Sequence, residues 1–280
     1  MMAPMTTRVI RLLLVVSMLA ACHVGMAVEE QAPAASTASA RPIALAPIAT
    51  ATAATPAATE RPIPTVRPTP ASTPAPPTPP PPPPASFALN LYEEGDFVPQ
   101  YTFDWCVGAS IQMMHNLIVA ERRTSRDDQE ALWERARGHS VNSFNGANPL
   151  GWAAVLNDIG LGPYEVVSIA DYDEALRTAA AAMRDTQRPV GLVMWRGRHA
   201  WVMSGFESMG DPAIHADFTV TGVRVLDPLF PHGSSIWGPS PEPNSLLSPA
   251  QLANDFVIRE SRRWSSHLPS GHLLVLPTQP

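Results

Sequence analysis

Cysteine is scarce in this sequence. Only Cys22 and Cys106 are present, and a bond between them would tie a tail to the start of a helix, so no disulfide is expected. There is no CxxC pair, no HExxH helix, no P-loop and no GxGxxG turn, so neither a metal nor a nucleotide cofactor is implied. No basic cluster appears and the formal charge is −6, which argues against nucleic acid as a partner. Internal repeats are absent, and beyond the N-terminus no stretch is long and apolar enough to cross a bilayer.

What is present is visibly segmented. Arg8 and Arg11 precede an apolar run over 12–19 that is too short to span a membrane, so residues 1–21 read as a signal peptide. Leu19-Ala20-Ala21-Cys22 places small residues before a cysteine at the end of that run. It resembles the lipobox of bacterial lipoproteins. The resemblance implies cleavage before Cys22, lipidation of its thiol, and attachment through that lipid to the outer face of the bacterial cell membrane. The alternative is ordinary secretion, with cleavage near Ala21 or Ala27. If Cys22 carries lipid, Cys106 is an unpaired thiol in an extracytoplasmic protein, hence either buried and inert or reactive.

Residues 22–86 are rich in Ala, Pro and Thr and include six consecutive prolines at 79–84. Such a segment buries too little apolar surface to offset its ordering entropy, so a disordered linker is expected. Where it adopts polyproline II it extends about 3.1 Å per residue, a reach on the order of 100 Å in all. A stalk or a ligand for a proline-binding domain would have the same composition. Residues 87–280 then make a single domain with a sizeable core, expected to be a monomer.

Within that domain the pattern begins helical. Val107, Ile111, Met114 and Ile118 fall on one face, widened by Met113 and Leu117, which predicts a central helix over 106–122 with Cys106 in its first turn and Asp104 as N-cap. Unpaired N–H groups and the helix dipole favour negative charge there, and so favour the thiolate. Ser125 with Asp128 opens a helix to about 137, and Asn148-Pro149 opens a third over 149–159 that stops at Gly160. Asp171 with Glu174 caps a fourth to about 185, whose Tyr172, Leu176, Ala179 and Met183 make a core stripe. After Pro189 the period changes. Strands are expected over 190–195, 199–206 and 218–226, with a turn at 196–198 and a bulge near Gly222. A loop over 228–247, a short helix opened by Ser248 and a last strand over 272–276 follow. Helices first and an antiparallel sheet second predict an α+β domain.

Cysteine catalysis needs a nucleophile, a base, a group that orients the base, and an oxyanion donor. His199 opens a strand after a glycine turn, and Asp227 ends the next strand before Pro228. If those strands are antiparallel neighbours, the two side chains meet at one rim of the sheet. Gln100 precedes Trp105-Cys106-Val107-Gly108 by a few residues, and Gly197-Arg198-His199 and Leu226-Asp227-Pro228 come later. In this order the residues resemble the papain-like bacterial cysteine peptidases of the bacteriocin-leader-peptidase group, over about 92–265. Residues 248–256 followed by Trp264 are similar to a helix common in that group.

The resemblance implies a papain-like α+β fold, in which an N-terminal helical half with a central cysteine-bearing helix packs on a C-terminal antiparallel sheet. It implies Cys106 as nucleophile, His199 as base and then acid, Asp227 as its orienter, and Gln100 with the Cys106 N–H as oxyanion hole. It implies no cofactor, and a peptide or protein substrate, cell-wall peptide included. Val107-Gly108 stands where many relatives have Gly-Pro, and no transporter is fused, so leader processing does not follow. Acyl transfer to an amine by the same triad, as in transglutaminase-like relatives, is an alternative, and so is a surface peptide-binding module without turnover. Bland roles exist for each residue: a core cysteine, a strand-capping histidine, a turn aspartate, a loop glutamine. His272, after Ser270-Gly271, is the rival base, though it follows Asp227. His115 lies over two turns along the helix from Cys106, too far to serve. His139, His215, His232 and His267 read as solvated loop residues, and Trp105, Trp152, Trp195 and Trp201 as core or groove wall.

Overall fold

The computed structural model describes residues 83–141, 146–262, 265 and 267–280. The signal peptide, the lipobox with Cys22, the linker through residue 82 and Trp264 lie outside the described residues. In chain order the elements are β1 (Ser86–Asn90), α1 (Cys106–Ile118), α2 (Arg126–Gly138), α3 (Pro149–Asp158), β2 (Tyr164–Ile169), α4 (Tyr172–Thr186), β3 (Val190–Met194), β4 (His199–Met209), β5 (Thr219–Leu226), β6 (Gly233–Ser234), β7 (Gly238–Pro239), β8 (Ser245–Leu247), α5 (Pro249–Leu252) and β9 (His272–Pro277). Helices and an antiparallel sheet make this an α+β domain. No helix among the described residues is long and apolar enough to cross a membrane.

Local chemistry sets most helix starts where the sequence places them. Ser125 accepts a hydrogen bond from the Asp128 N–H, Asn148 from Leu150 and Gly151, and Asp171 from Glu174. Ser248 and Gln251 form a reciprocal capping box on α5. The end of α1 differs from expectation: it stops at Ile118, with Val119 extended, rather than near 122. The cause is Asn116. Its Nδ2 donates to the Asp96 and Arg123 carbonyls at 3.2 and 3.0 Å, and its Oδ1 accepts from the Arg123 N–H at 2.8 Å, so the following chain folds back instead of continuing the helix.

The sheet has the order β2-β9-β3-β4-β5-β8, and β1 pairs with β4. Every pairing is antiparallel. The N-terminal half of β4 pairs with β3 and its C-terminal half with β1, while β5 runs along the other edge. Register slips occur at two places in β4–β5, one of them beside Gly222, where the alternation of the sequence loses phase. The strands β1, β2 and β8 lie in stretches that the sequence pattern leaves as loop. They have five, six and three residues, too short for periodicity to show. Because β1 and β2 come from the N-terminal part, the helical and sheet halves are not segregated along the chain as expected.

Alternate strand residues feed two apolar cores. Trp201 and Met203 of β4 and Leu192 of β3 pack with Leu176 and Met183 of α4. Ala200 and Val202 pack on the other face with Ile111 and Met114 of α1 and Trp152 of α3. The sheet is thus covered on both faces, and α1 lies against the strand that begins with His199. Ser110 Oγ, fully buried, donates to the Ala200 carbonyl at 3.3 Å and fixes that contact.

Gly108 explains why α1 and α2 approach so closely. A Cβ there would stand 2.8 Å from the Trp133 Cβ and 2.9 Å from the Gln129 carbonyl oxygen. Alanine raises helix propensity by about 1 kcal/mol, but overpacking against a backbone oxygen costs about 1–3 kcal/mol. Neither clashing atom is a flexible side-chain end, so the cost falls in the upper part of that range and Gly108→Ala should be less stable by about 1–2 kcal/mol in urea unfolding. Equal stability would mean that the two helices separate freely.

Candidate active site

Three segments converge at the start of α1. The first is the stretch ahead of Cys106. Gln129, fully buried on α2, holds it: Nε2 donates to the Pro99 carbonyl at 3.1 Å and Oε1 accepts from the Tyr101 N–H at 2.8 Å. The Gln100 N–H donates to the Pro228 carbonyl at 2.7 Å, which ties the stretch to the end of β5. Helix α1 then begins at Cys106. Its N-cap is Trp105, not Asp104, and no side chain caps it. The buried Trp105 ring packs on Trp133, with centroids 5.6 Å apart, and under the Arg126 guanidinium, so an indole anchors this helix start. The Asp104 carbonyl instead accepts from Trp133 Nε1. With no acidic residue in the first turn, no carboxylate within the helix start competes for its unpaired N–H groups, which favour an anion.

The second segment is the β3–β4 hairpin. Trp195, Arg196 and Gly197 all have positive φ, at 55°, 58° and 87°. For the two non-glycine residues this backbone costs about 1–2 kcal/mol each. The conformation sets Trp195 flat on His199, with ring centroids 4.1 Å apart and planes 19° apart, and parallel to Trp237 at 6.1 Å. Asp255 holds the lid twice, its Oδ1 accepting from Trp195 Nε1 at 3.0 Å and its carbonyl from the Trp195 N–H at 2.9 Å. Burial pushes the Asp255 carboxyl up, an effect only partly offset by the Trp195 hydrogen bond. His199 therefore stands at the sheet rim but under a roof, 6% exposed.

The third segment is the end of β5. Val202 pairs with Leu226, so Asp227 emerges beside the start of β4. His199 Nε2 lies 2.7 Å from Asp227 Oδ1, which also accepts from the Leu229 N–H at 2.9 Å. Asp227 is fully buried and its Oδ2 has no partner among the described residues, so His199 is the only cation it touches. Burial opposes a charged imidazole. The hydrogen bonds to Asp227 and Cys106, and the charges of both, outweigh it and push the His199 pKa up to about 9. With Nε2 committed to Asp227, Nδ1 is the ring nitrogen left for the Cys106 thiol. The arrangement favours the charged form of His199 on the side where Cys106 lies.

Cys106 and His199 open on a cleft of about 380 Å³ between the starts of α1 and α3, the β3–β4 hairpin and a wall that includes Arg259, Arg262, Ser265 and His267. Cys106 is half-buried and free. Gln100 is placed differently from its expected oxyanion role. Its Nε2 donates to the Thr102 and Phe103 carbonyls at 3.0 and 2.9 Å, and it does not line the cleft. Both amide hydrogens are thus committed to the loop, and an amide flip would set Oε1 against two carbonyls. The donors left for an oxyanion are backbone N–H groups at the start of α1.

The other histidines separate cleanly. His272 packs against Tyr172 and Phe256 in the core, and His115 is buried beside Asn116; burial lowers the pKa of both. His139 is exposed, as expected, and lies 2.9 Å from Asp158. His267, expected to be a solvated loop residue, lines the cleft with its Nε2 3.5 Å from Asn148 Nδ2. Trp195, read from the sequence as core or groove wall, covers His199 instead, and Asp255, which holds it, carries no sequence signal. The only hint of the lid is a large aromatic directly before a turn. No group of His, Cys, Asp and Glu that could hold a metal occurs among the described residues. No protein-family model matches the chain, and neither a curated protein nor a solved structure matches it.

Proposed function

We propose that the protein is a papain-like cysteine peptidase or amidase. The observation that carries this reading is the buried His199–Asp227 pair at 2.7 Å, with Cys106 on its open side in one cleft. Burying an ion pair gains little stability over a well-packed apolar alternative, so its presence under a strained aromatic lid needs a use. The Cys106 sulfur adds to an amide carbonyl carbon while the oxygen becomes an oxyanion at the α1 N–H groups. The protonated His199 gives its proton to the leaving amine, and the C–N bond breaks to leave a thioester. Neutral His199 then takes a proton from water as the water oxygen attacks the thioester carbon, and the C–S bond breaks to release the carboxylic acid and restore the Cys106 thiolate beside the imidazolium. Asp227 keeps the ring oriented and favours its charged form. The resemblance in residue order adds support, as does an α+β fold with the cysteine at a helix start. On the reading of residues 1–22, the enzyme is tethered by lipid at the outer face of the cell membrane.

A second reading, a peptide-binding module without turnover, draws on Gln100, whose amide is spent on the Thr102 and Phe103 carbonyls. Alkylation separates the two. Iodoacetamide should label Cys106 fast at pH 6–7, well below about pH 8.5 where an ordinary thiol is half ionised, and His199→Ala should remove that low-pH reactivity. Labelling that follows an ordinary thiol titration in both proteins would leave the binding module standing.

A further inference from the structure

The chain has no lysine and is acidic overall, yet four arginines border one cleft. Arg196 and Arg198 stand exposed on the hairpin turn beside His199, and among the described residues neither side chain has an ion pair or hydrogen bond. Arg259 lies beneath them, 5% exposed, its stem packed where a Cβ on Gly197 would fall. Its guanidinium donates to the carbonyls of Ser265, Leu268 and Pro269, each at 2.8 Å, and to no carboxylate. Arg262 lines the same wall. The opposing charges in the lining are Asp104 and Glu260, so arginines outnumber carboxylates there, and His199 adds nothing to the balance because Asp227 offsets it. Carbonyl dipoles satisfy Arg259 but do not neutralise it, so a desolvated guanidinium lies beneath the two exposed ones at the mouth of the cleft. The backbone contributes too: Arg196 is held at a positive φ, where glycine or asparagine would be easier.

We propose that this cleft selects a peptide bearing a carboxylate next to the bond positioned at Cys106, through Arg196 and Arg198. The claim names the substrate class of the site assigned above and rests on that reading for its chemistry, but not for binding. Arginine suits the task because its planar fork pairs with both oxygens of a carboxylate. The carboxylate is either a side chain, Asp or Glu, or the free C-terminus of a short peptide.

The test is binding to the full chain carrying Cys106→Ala, so that turnover plays no part. Fluorescein-labelled decapeptides are compared by anisotropy: one with a central Glu-Glu, its Gln-Gln counterpart, and each with a free or amidated C-terminus. At least one carboxylate should tighten binding by about tenfold, the worth of one good charge pair. Raising salt from about 50 to about 500 mM should erase most of that gain. The variant R196Q/R198Q should lose the preference while still binding the Gln-Gln amide as before. A Glu-Glu effect assigns a side-chain carboxylate, and an effect of amidation assigns the C-terminus. Equal binding of all four peptides, no binding, or a preference that survives in R196Q/R198Q would overturn the proposal. So would tighter binding of a single-stranded oligonucleotide of the same charge. Because Cys106 is absent from the assay, a selective cleft beside an unreactive thiol would sink the catalytic reading alone, and a reactive thiol in an indifferent cleft would sink this one alone.

Discussion

Cys106→Ala should keep the fold and reduce amide hydrolysis by on the order of 10⁴-fold or more. Cys106 is half-buried at the first position of α1, where alanine is the best helix former, so little packing or propensity is lost. What disappears is the thiol sulfur beside His199 that would carry the acyl group. A direct readout accompanies the kinetic one. The thiol helps to hold the imidazole charged, so the His199 ring should titrate below its wild-type value of about 9 in the variant, as followed by NMR. Hydrolysis unchanged in the alanine variant would refute the mechanism, whatever the ring does.

Asp227→Asn should be the most destabilising conservative change in the site, and its effect should depend on pH. Removing one partner of a buried pair costs about 3–5 kcal/mol when the other stays charged. His199 has a folded pKa raised to about 9 from an ordinary value of 6.5, so it binds its proton more tightly when folded. The stability that this adds is fully present below about pH 6.5 and is lost as pH rises through about 9. Urea unfolding should therefore show a gap between wild type and Asp227→Asn of roughly 3 kcal/mol at pH 6, closing toward pH 10. A gap that stays constant across that range would mean that Asp227 acts through shape and the Leu229 N–H, not through the imidazolium. Turnover should fall as well, because the ring loses both its orienter and the charge that keeps it protonated.

These two residues also show how the site can be inferred from sequence and where inference ends. The positions of His199 and Asp227 follow from strand grammar: a glycine turn before one, a proline after the other, and an antiparallel ladder between them. Cys106 follows from the period of its helix. Gln100 shows the limit. Its position ahead of the cysteine is right for an oxyanion donor, but the direction of its amide depends on the path of a loop that Gln129 and Pro228, remote in sequence, hold in place. The lid is similar: Trp195 before a turn could face either way until Asp255 holds the indole over His199.

The sequence by itself determined the helices from their caps and apolar faces, the β3–β4–β5 run with its slip near Gly222, and the order of the chemical groups along the chain. Each is a local property, fixed by neighbours within a turn or a strand. The tertiary structure decided what no local rule contains. It placed β1 and β2 in the sheet, since strands of five and six residues are stable only against partners far away in sequence. It buried Asp227 so that one histidine carries its counter-charge. It also brought Arg196, Arg198, Arg259 and Arg262, separated by some sixty residues, onto one wall of an acidic protein. Charge along a chain is a sum, but the field in a cleft depends on distance and on the solvent excluded from it, and both exist only once the chain has folded.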